Sequence, residues 1–158
     1  MAALLSGEGL RTLYRSEEGV VDRRVWWLGL APLGAALLLL TLGWLALRPY
    51  AGRGLDERAF LDPLTLVAMA FLIFYAFAVM LIAVCFVNLS MKRLRDRGRA
   101  PMLASLPPLA VLASGAAHWM RGFSLDAFPV WAVWLCDIGL VAVLVWAVVE
   151  MGVLRGRA

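Results

Sequence analysis

The stretch that decides the fold is Pro63–Met91, PLTLVAMAFLIFYAFAVMLIAVCFVNLSM, 29 consecutive residues without a charge. As a straight helix at about 1.5 Å per residue it would measure about 43 Å, against a bilayer hydrocarbon core of about 30 Å. Its Asn88 and Ser90 lie at one end, so that end is expected to project into the cytosol rather than stay in lipid. Three further windows flank it. Val25–Leu47 has 23 residues between Arg23-Arg24 and Arg48, Ala100–Met120 has 21 between Arg99 and Arg121, and Ala127–Val149 has 23 with Asp137 inside. Each reaches the roughly 20 residues a crossing needs. The expected fold is all-α: a polytopic, antiparallel four-helix transmembrane bundle over residues 25–150. Its spans are 25–47, 63–91, 100–120 and 127–149, with a cytosolic segment 1–24 before them and a tail 151–158 after them.

Composition agrees. The chain is 63% hydrophobic and 16% charged, with mean hydropathy +0.85. Soluble domains run near 45–50% apolar and about 25% charged. Disordered and disulfide-stapled classes are excluded by the same figures. Residues 1–24 carry Glu8, Glu17, Glu18 and Asp22 and no apolar run before a cleavage site, so the first helix is expected to stay in the mature chain. Leu10, Leu13 and Tyr14 fall at helical spacing within that segment, suiting a short helix on the membrane surface. Cys85 and Cys136 sit in apolar stretches without CxxC spacing or a nearby His, and read as small buried hydrophobes.

Start signals mark the spans. Asp22 precedes the first, Asp62-Pro63 opens the second, Pro101 the third, and Asp126 with Pro129 the fourth. The links between them are short, which makes consecutive helices antiparallel neighbours. Net charge is +4, and all basic residues but Lys92 are arginine. Eleven cations fall on one side: Arg11, Arg15, Arg23, Arg24, Lys92, Arg93, Arg95, Arg97, Arg99, Arg155 and Arg157. Four fall on the other: Arg48, Arg53, Arg58 and Arg121. The positive-inside rule then puts both termini in the cytosol. Trp26, Trp27 and Trp146 mark the cytosolic interface, and Trp44, Tyr50, Trp119 and Trp131 the outer one. Cations beside long apolar runs point to orientation and anionic lipid, not to nucleic acid.

Two stretches, Gly19-Val20-Val21-Asp22-Arg23-Arg24-Val25-Trp26-Trp27 and Lys92-Arg93-Leu94-Arg95-Asp96-Arg97-Gly98-Arg99 followed by Pro107, carry a family resemblance. The first resembles a pattern of Gly, a basic pair and aromatics ending in Trp. The second resembles a basic pair, Leu, His, Asp, any residue, Gly and a basic residue, with a later proline. Both are patterns of the bacterial membrane family of unknown function called DUF805, and the likeness runs from Gly19 to about Val149. Val20 stands where that family usually has Arg, Val25 where an acidic residue is common, and Arg95 where it has His. The family's Gly- and Asn-rich tail has no counterpart after Glu150. The resemblance implies a small multi-pass protein of the bacterial inner (cytoplasmic) membrane, and supplies no reaction.

Few residues can carry chemistry. Five cations crowd residues 92–99, with Asp96 among them. Lys92, Arg93, Arg95, Asp96, Arg97 and Arg99, with Arg23 and Arg24, form the expected site for anionic lipid or a partner, and Asp96 is expected to bridge to Arg23 or Arg24. Asp137 is expected near the membrane midplane, facing the bundle interior. Tyr75 is its best partner by depth, and Thr41 lies too near the outer end of its span. His118, without a second His, reads as an interfacial residue in a polar rim with Arg121 and Asp126. Glu150, unfavourable at a helix C-terminus, is expected to pair with Arg24 or Arg155. Pro107-Pro108 is expected to kink the third span and free the carbonyls near Leu103 and Ala104.

No catalytic set, metal-ligand cluster, phosphate loop or cofactor motif is visible, and no Ser-His-Asp order is of useful kind, so the expected class is not an enzyme. The preferred function is a structural or accessory membrane protein whose partners are anionic lipid, another membrane protein or a second copy. The alternative is a transporter or channel-like subunit handling a proton or cation at Asp137.

Overall fold

The computed structural model describes residues 12–15, 19–51, 62–123 and 129–156. The expectations for Leu10, Arg11, Arg53, Arg58, Asp126 and Arg157 fall outside them. The described chain is helical, without a strand. Helix α1 spans Arg23–Ala51 and α2 spans Pro63–Asp96. A 3-10 turn, Pro101–Ser105, leads into α3, Leu106–Phe123. Helix α4, Val130–Ala147, ends in a π turn, Val148–Val153.

The boundaries follow from local chemistry. Asp22 caps α1, its Oδ1 accepting the Val25 N–H at 2.8 Å. Asp62 precedes α2 with Pro63 in the first turn, but its Oδ2 accepts the Thr65 hydroxyl at 3.1 Å instead of a backbone N–H. Helix α2 stops at a Schellman turn. Gly98, at φ +66°, donates to Arg95 O at 2.9 Å, and Arg99 N–H reaches back to Leu94 O at 2.9 Å. The expected kink at Pro107-Pro108 is not what the chain does. Both prolines fall in the first turn of α3, where their missing N–H groups have no helical partner to lose. The third span is therefore split into a 3-10 turn and an 18-residue helix.

Among the described residues, three segments are long and apolar enough to cross a membrane: Arg23–Ala51, Pro63–Asp96 and Val130–Val153. Helix α3, with Pro107, Pro108, His118 and Arg121, is not among them. Leu38, Leu39, Ile73, Phe77, Leu81, Ile138 and Val141 stay exposed along the helices, the surface that a membrane protein turns to lipid.

The long helices pack in two pairs, α1 with α2 and α3 with α4. In the first pair Trp26 meets Ser90, Gly29 meets Leu89, Thr41 meets Tyr75 and Gly43 meets Phe71, so the helices run antiparallel. Gly43 is required by that approach: a Cβ there would stand 2.9 Å from the Phe71 ring. The two pairs meet chiefly at one end, where the 3-10 turn lies on α2 and the π turn lies on α1 and α2. The buried cluster is at this end too: Leu13, Val21, Trp26, Leu89, Leu94, Ala104, Ala147 and Met151. Helix α2, about 51 Å long at 1.5 Å per residue, supplies the platform with its last two turns. Trp26, expected at the lipid interface, is 1% exposed and belongs to this core.

The Schellman turn depends on a left-handed residue that costs a side-chain-bearing residue about 1–2 kcal/mol. Gly98→Ala is expected to destabilise the detergent-solubilised chain by about that amount, and Gly98→Asn by less. Thermal unfolding followed by circular dichroism checks the order.

Candidate functional site

The basic end is organised around backbone carbonyls. Helix α4 closes in a wide turn, with Leu154 N–H bonded to Val149 O at 3.1 Å, five residues back. That leaves successive carbonyls without helical donors. Five in a row are taken by side chains from α1, α2 and the turn that follows α2. Met151 O accepts Arg93 Nε at 3.0 Å, Gly152 O accepts Trp27 Nε1 at 3.0 Å, and Val153 O accepts Arg23 Nη1 at 3.2 Å. Leu154 O accepts Arg93 Nη2 at 2.6 Å, and Arg155 O accepts Arg97 Nη1. Cations at a helix C-terminus also oppose the helix dipole favourably. Gly152 permits the approach, because a Cβ there would lie 2.7 Å from the Trp27 ring.

The same end holds the N-terminal turn. Lys92 Nζ donates to Thr12 O and, at 3.0 Å, to Leu13 O. Asn88 Nδ2 donates to Tyr14 O at 2.8 Å, and Tyr14 OH donates to Gly29 O at 2.7 Å. Burial, with a smaller contribution from Cys85, holds the Tyr14 phenol above its ordinary range, so it remains a donor. Leu13 is buried beneath this turn in the protein core, whereas its spacing with Tyr14 suggests a helix on the membrane surface.

These contacts divide the expected lipid-binding set. Arg93 is 1% exposed and Lys92 3%, so neither can meet a headgroup. Asp96 pairs with Arg93 inside α2, not with Arg23 or Arg24 as expected; the two sit three residues apart on one helix face. Glu150 is likewise paired otherwise than expected. It accepts from Arg97 Nη2 at 3.4 Å and Arg99 Nε at 3.1 Å, which offsets its unfavourable place at the end of α4. Arg23, Arg24, Arg95 and Arg99 remain exposed around the knot.

A second polar group lies toward the opposite end, between α3 and α4. Ser114 Oγ donates to Asp137 Oδ1 at 2.6 Å, and His118 Nε2 stands 3.2 and 3.1 Å from Oδ1 and Oδ2. Ser114 and His118 are one turn apart on α3, so one carboxylate can meet both. The expected Asp137–Tyr75 pair is not formed. Tyr75 OH is 3.3 Å from Thr41 Oγ1, and Thr41 in turn donates to Leu37 O at 2.8 Å. Helix α1 and α2 therefore satisfy their own hydroxyls. Nor is Asp137 sealed at the midplane: it lies about 10 Å along α4 from Val130, and its side chain is 41% exposed beside a His118 that is 60% exposed. His118 belongs to this pair rather than to a rim with Arg121. Ser114 donates to the carboxylate, not to the imidazole, so the three residues make no nucleophile–base relay.

Among the described residues, no group of three or more His, Cys, Asp or Glu is placed to hold a metal ion. No protein-family model, curated protein or solved structure matches the chain.

Sequence reasoning found the cations but not their work. Nothing in the pattern pairs carbonyls 151–155 with Arg23, Trp27, Arg93 and Arg97, because a carbonyl has no residue identity. The Asp137–His118 contact follows from counting back along the two helices from the link that joins them.

Arg93 carries three of these contacts while buried. Arg93→Met is expected to cost about 3–5 kcal/mol, since it leaves Asp96 and two carbonyls unpaired. Arg99→Ala, on an exposed pair, is expected to cost under about 1 kcal/mol. Unfolding titrations in mixed micelles check the contrast.

Proposed function

We propose that this chain is a four-crossing protein of the bacterial inner membrane, with both termini cytosolic, acting as a structural or accessory component held against anionic lipid by exposed arginines. The observation that carries the reading is the division of the cations. Lys92, Arg93 and Arg97 are buried or half-buried on carbonyls, while Arg24, Arg95 and Arg99 are exposed at the same end, Arg99 also pairing with Glu150. Trp27, exposed at the same level, suits the interface. In this reading α3 crosses as the fourth, less apolar member of an antiparallel bundle, shielded by α4. Membership of the DUF805 family is part of the proposal. Its support is that both resembling stretches have work at one place: Arg23 and Trp27 from the first, Arg93, Arg97 and Gly98 from the second.

Each arginine near an anionic surface contributes about 1 kcal/mol, about fivefold in lipid selectivity. The Arg24→Glu/Arg95→Glu variant is expected to lose about 25-fold or more of the preference for spin-labelled phosphatidylglycerol over phosphatidylcholine. Equal selectivity of variant and parent removes the lipid reading. Reporter fusions after Arg99 and Ala158 are expected to score cytosolic, and those after Asp56 and Ser124 external. Any reversal overturns the topology.

A further inference from the structure

We propose that Ser114, His118 and Asp137 form the centre of a contact between two copies of this chain, in which His118 of each copy donates to Asp137 of the other across a two-fold axis. The pair is exposed on a hairpin whose surroundings are apolar: Leu112, Leu135, Ile138 and Val141 are all open beside it. Hydrocarbon cannot satisfy it. With the imidazole protonated on both nitrogens, each copy holds one unspent donor and one unspent acceptor. His118 engages Asp137 through Nε2 only, and among the described residues Nδ1 has no partner. The Asp137 carboxylate offers about four lone-pair directions, and Ser114 and His118 leave capacity for another donor.

A spare donor beside a spare acceptor is self-complementary. A two-fold axis matches His118 with Asp137 and Asp137 with His118, and no other protein need supply the counter-charge. With Nδ1 and Nε2 both protonated, each copy contributes one positive and one negative group, so the closed set of four is neutral. The α1–α2 hairpin fits the role poorly. Thr41 has given its proton to Leu37 O, so Tyr75 must donate to Thr41 and has no proton left for Asp137.

The test uses the full chain, labelled at the C-terminus with donor or acceptor dye, in phosphatidylcholine–phosphatidylglycerol vesicles. Wild type is expected to show energy transfer above that of randomly mixed monomers, and D137N to weaken association by about tenfold or more. H118D carries two acidic groups and D137H two imidazoles. Each alone is expected to associate about tenfold more weakly than wild type, while their equimolar mixture recovers it, because only the mixed pair is complementary. Wild-type transfer at the random level overturns the proposal. So does D137N associating like wild type, or a mixture no better than its components when circular dichroism shows both helical. Proton flux through vesicles in which the chain stays monomeric would assign the cluster to ion handling instead.

Discussion

A peptide carbonyl buried without a donor costs about 1–3 kcal/mol, and the end of α4 offers five in a row, two of them on the buried Met151 and Gly152. The π turn that ends α4 and the two residues after it present carbonyls 151 to 155 toward α1, α2 and the turn after α2, and every one receives a side-chain N–H. The rest of the molecule depends on that accounting. It fixes α4 against the first hairpin, places Met151 in the core beside Trp26 and Leu94, and draws Arg93 so far inside that Asp96 must accompany it. Asp96 pairs with Arg93 and Glu150 with Arg97, which offsets part of the positive charge gathered at this helix end.

The architecture that results is two helical hairpins joined at one end. Away from the junction each hairpin meets its own needs: Thr41 with Tyr75 in one, Ser114 and His118 with Asp137 in the other. The difference between them matters for function. The first pair is neutral and complete. The second is ionisable and exposed, so it is open to a contact beyond the single chain.

Much of the fold was legible in the sequence because hydrocarbon imposes a length and a composition. Pro63–Met91 could scarcely be anything but a span, and Asp22 and Asp62-Pro63 marked their helix starts within a residue. The split of the third span was not legible. Pro107-Pro108 reads equally as a kink or a first turn until the 3-10 turn before it is known. The site was half legible. Charge density singled out residues 92–99, but density does not separate an arginine that meets lipid from one that meets a carbonyl. Trp26 misled for a related reason, since its ring suits an interface and a core alike, and Ser90 decided between them.

Amide hydrogen exchange in lipid nanodiscs tests the central claim most directly. If side chains from α1 and α2 hold the end of α4, the wild-type amides of residues 148–154 are protected like those of mid-α4. Arg93→Met then releases them, together with those at the end of α2, while residues 63–80 keep their protection. Unchanged protection of 148–154 in that variant would contradict the account, as would rapid exchange there in the wild type.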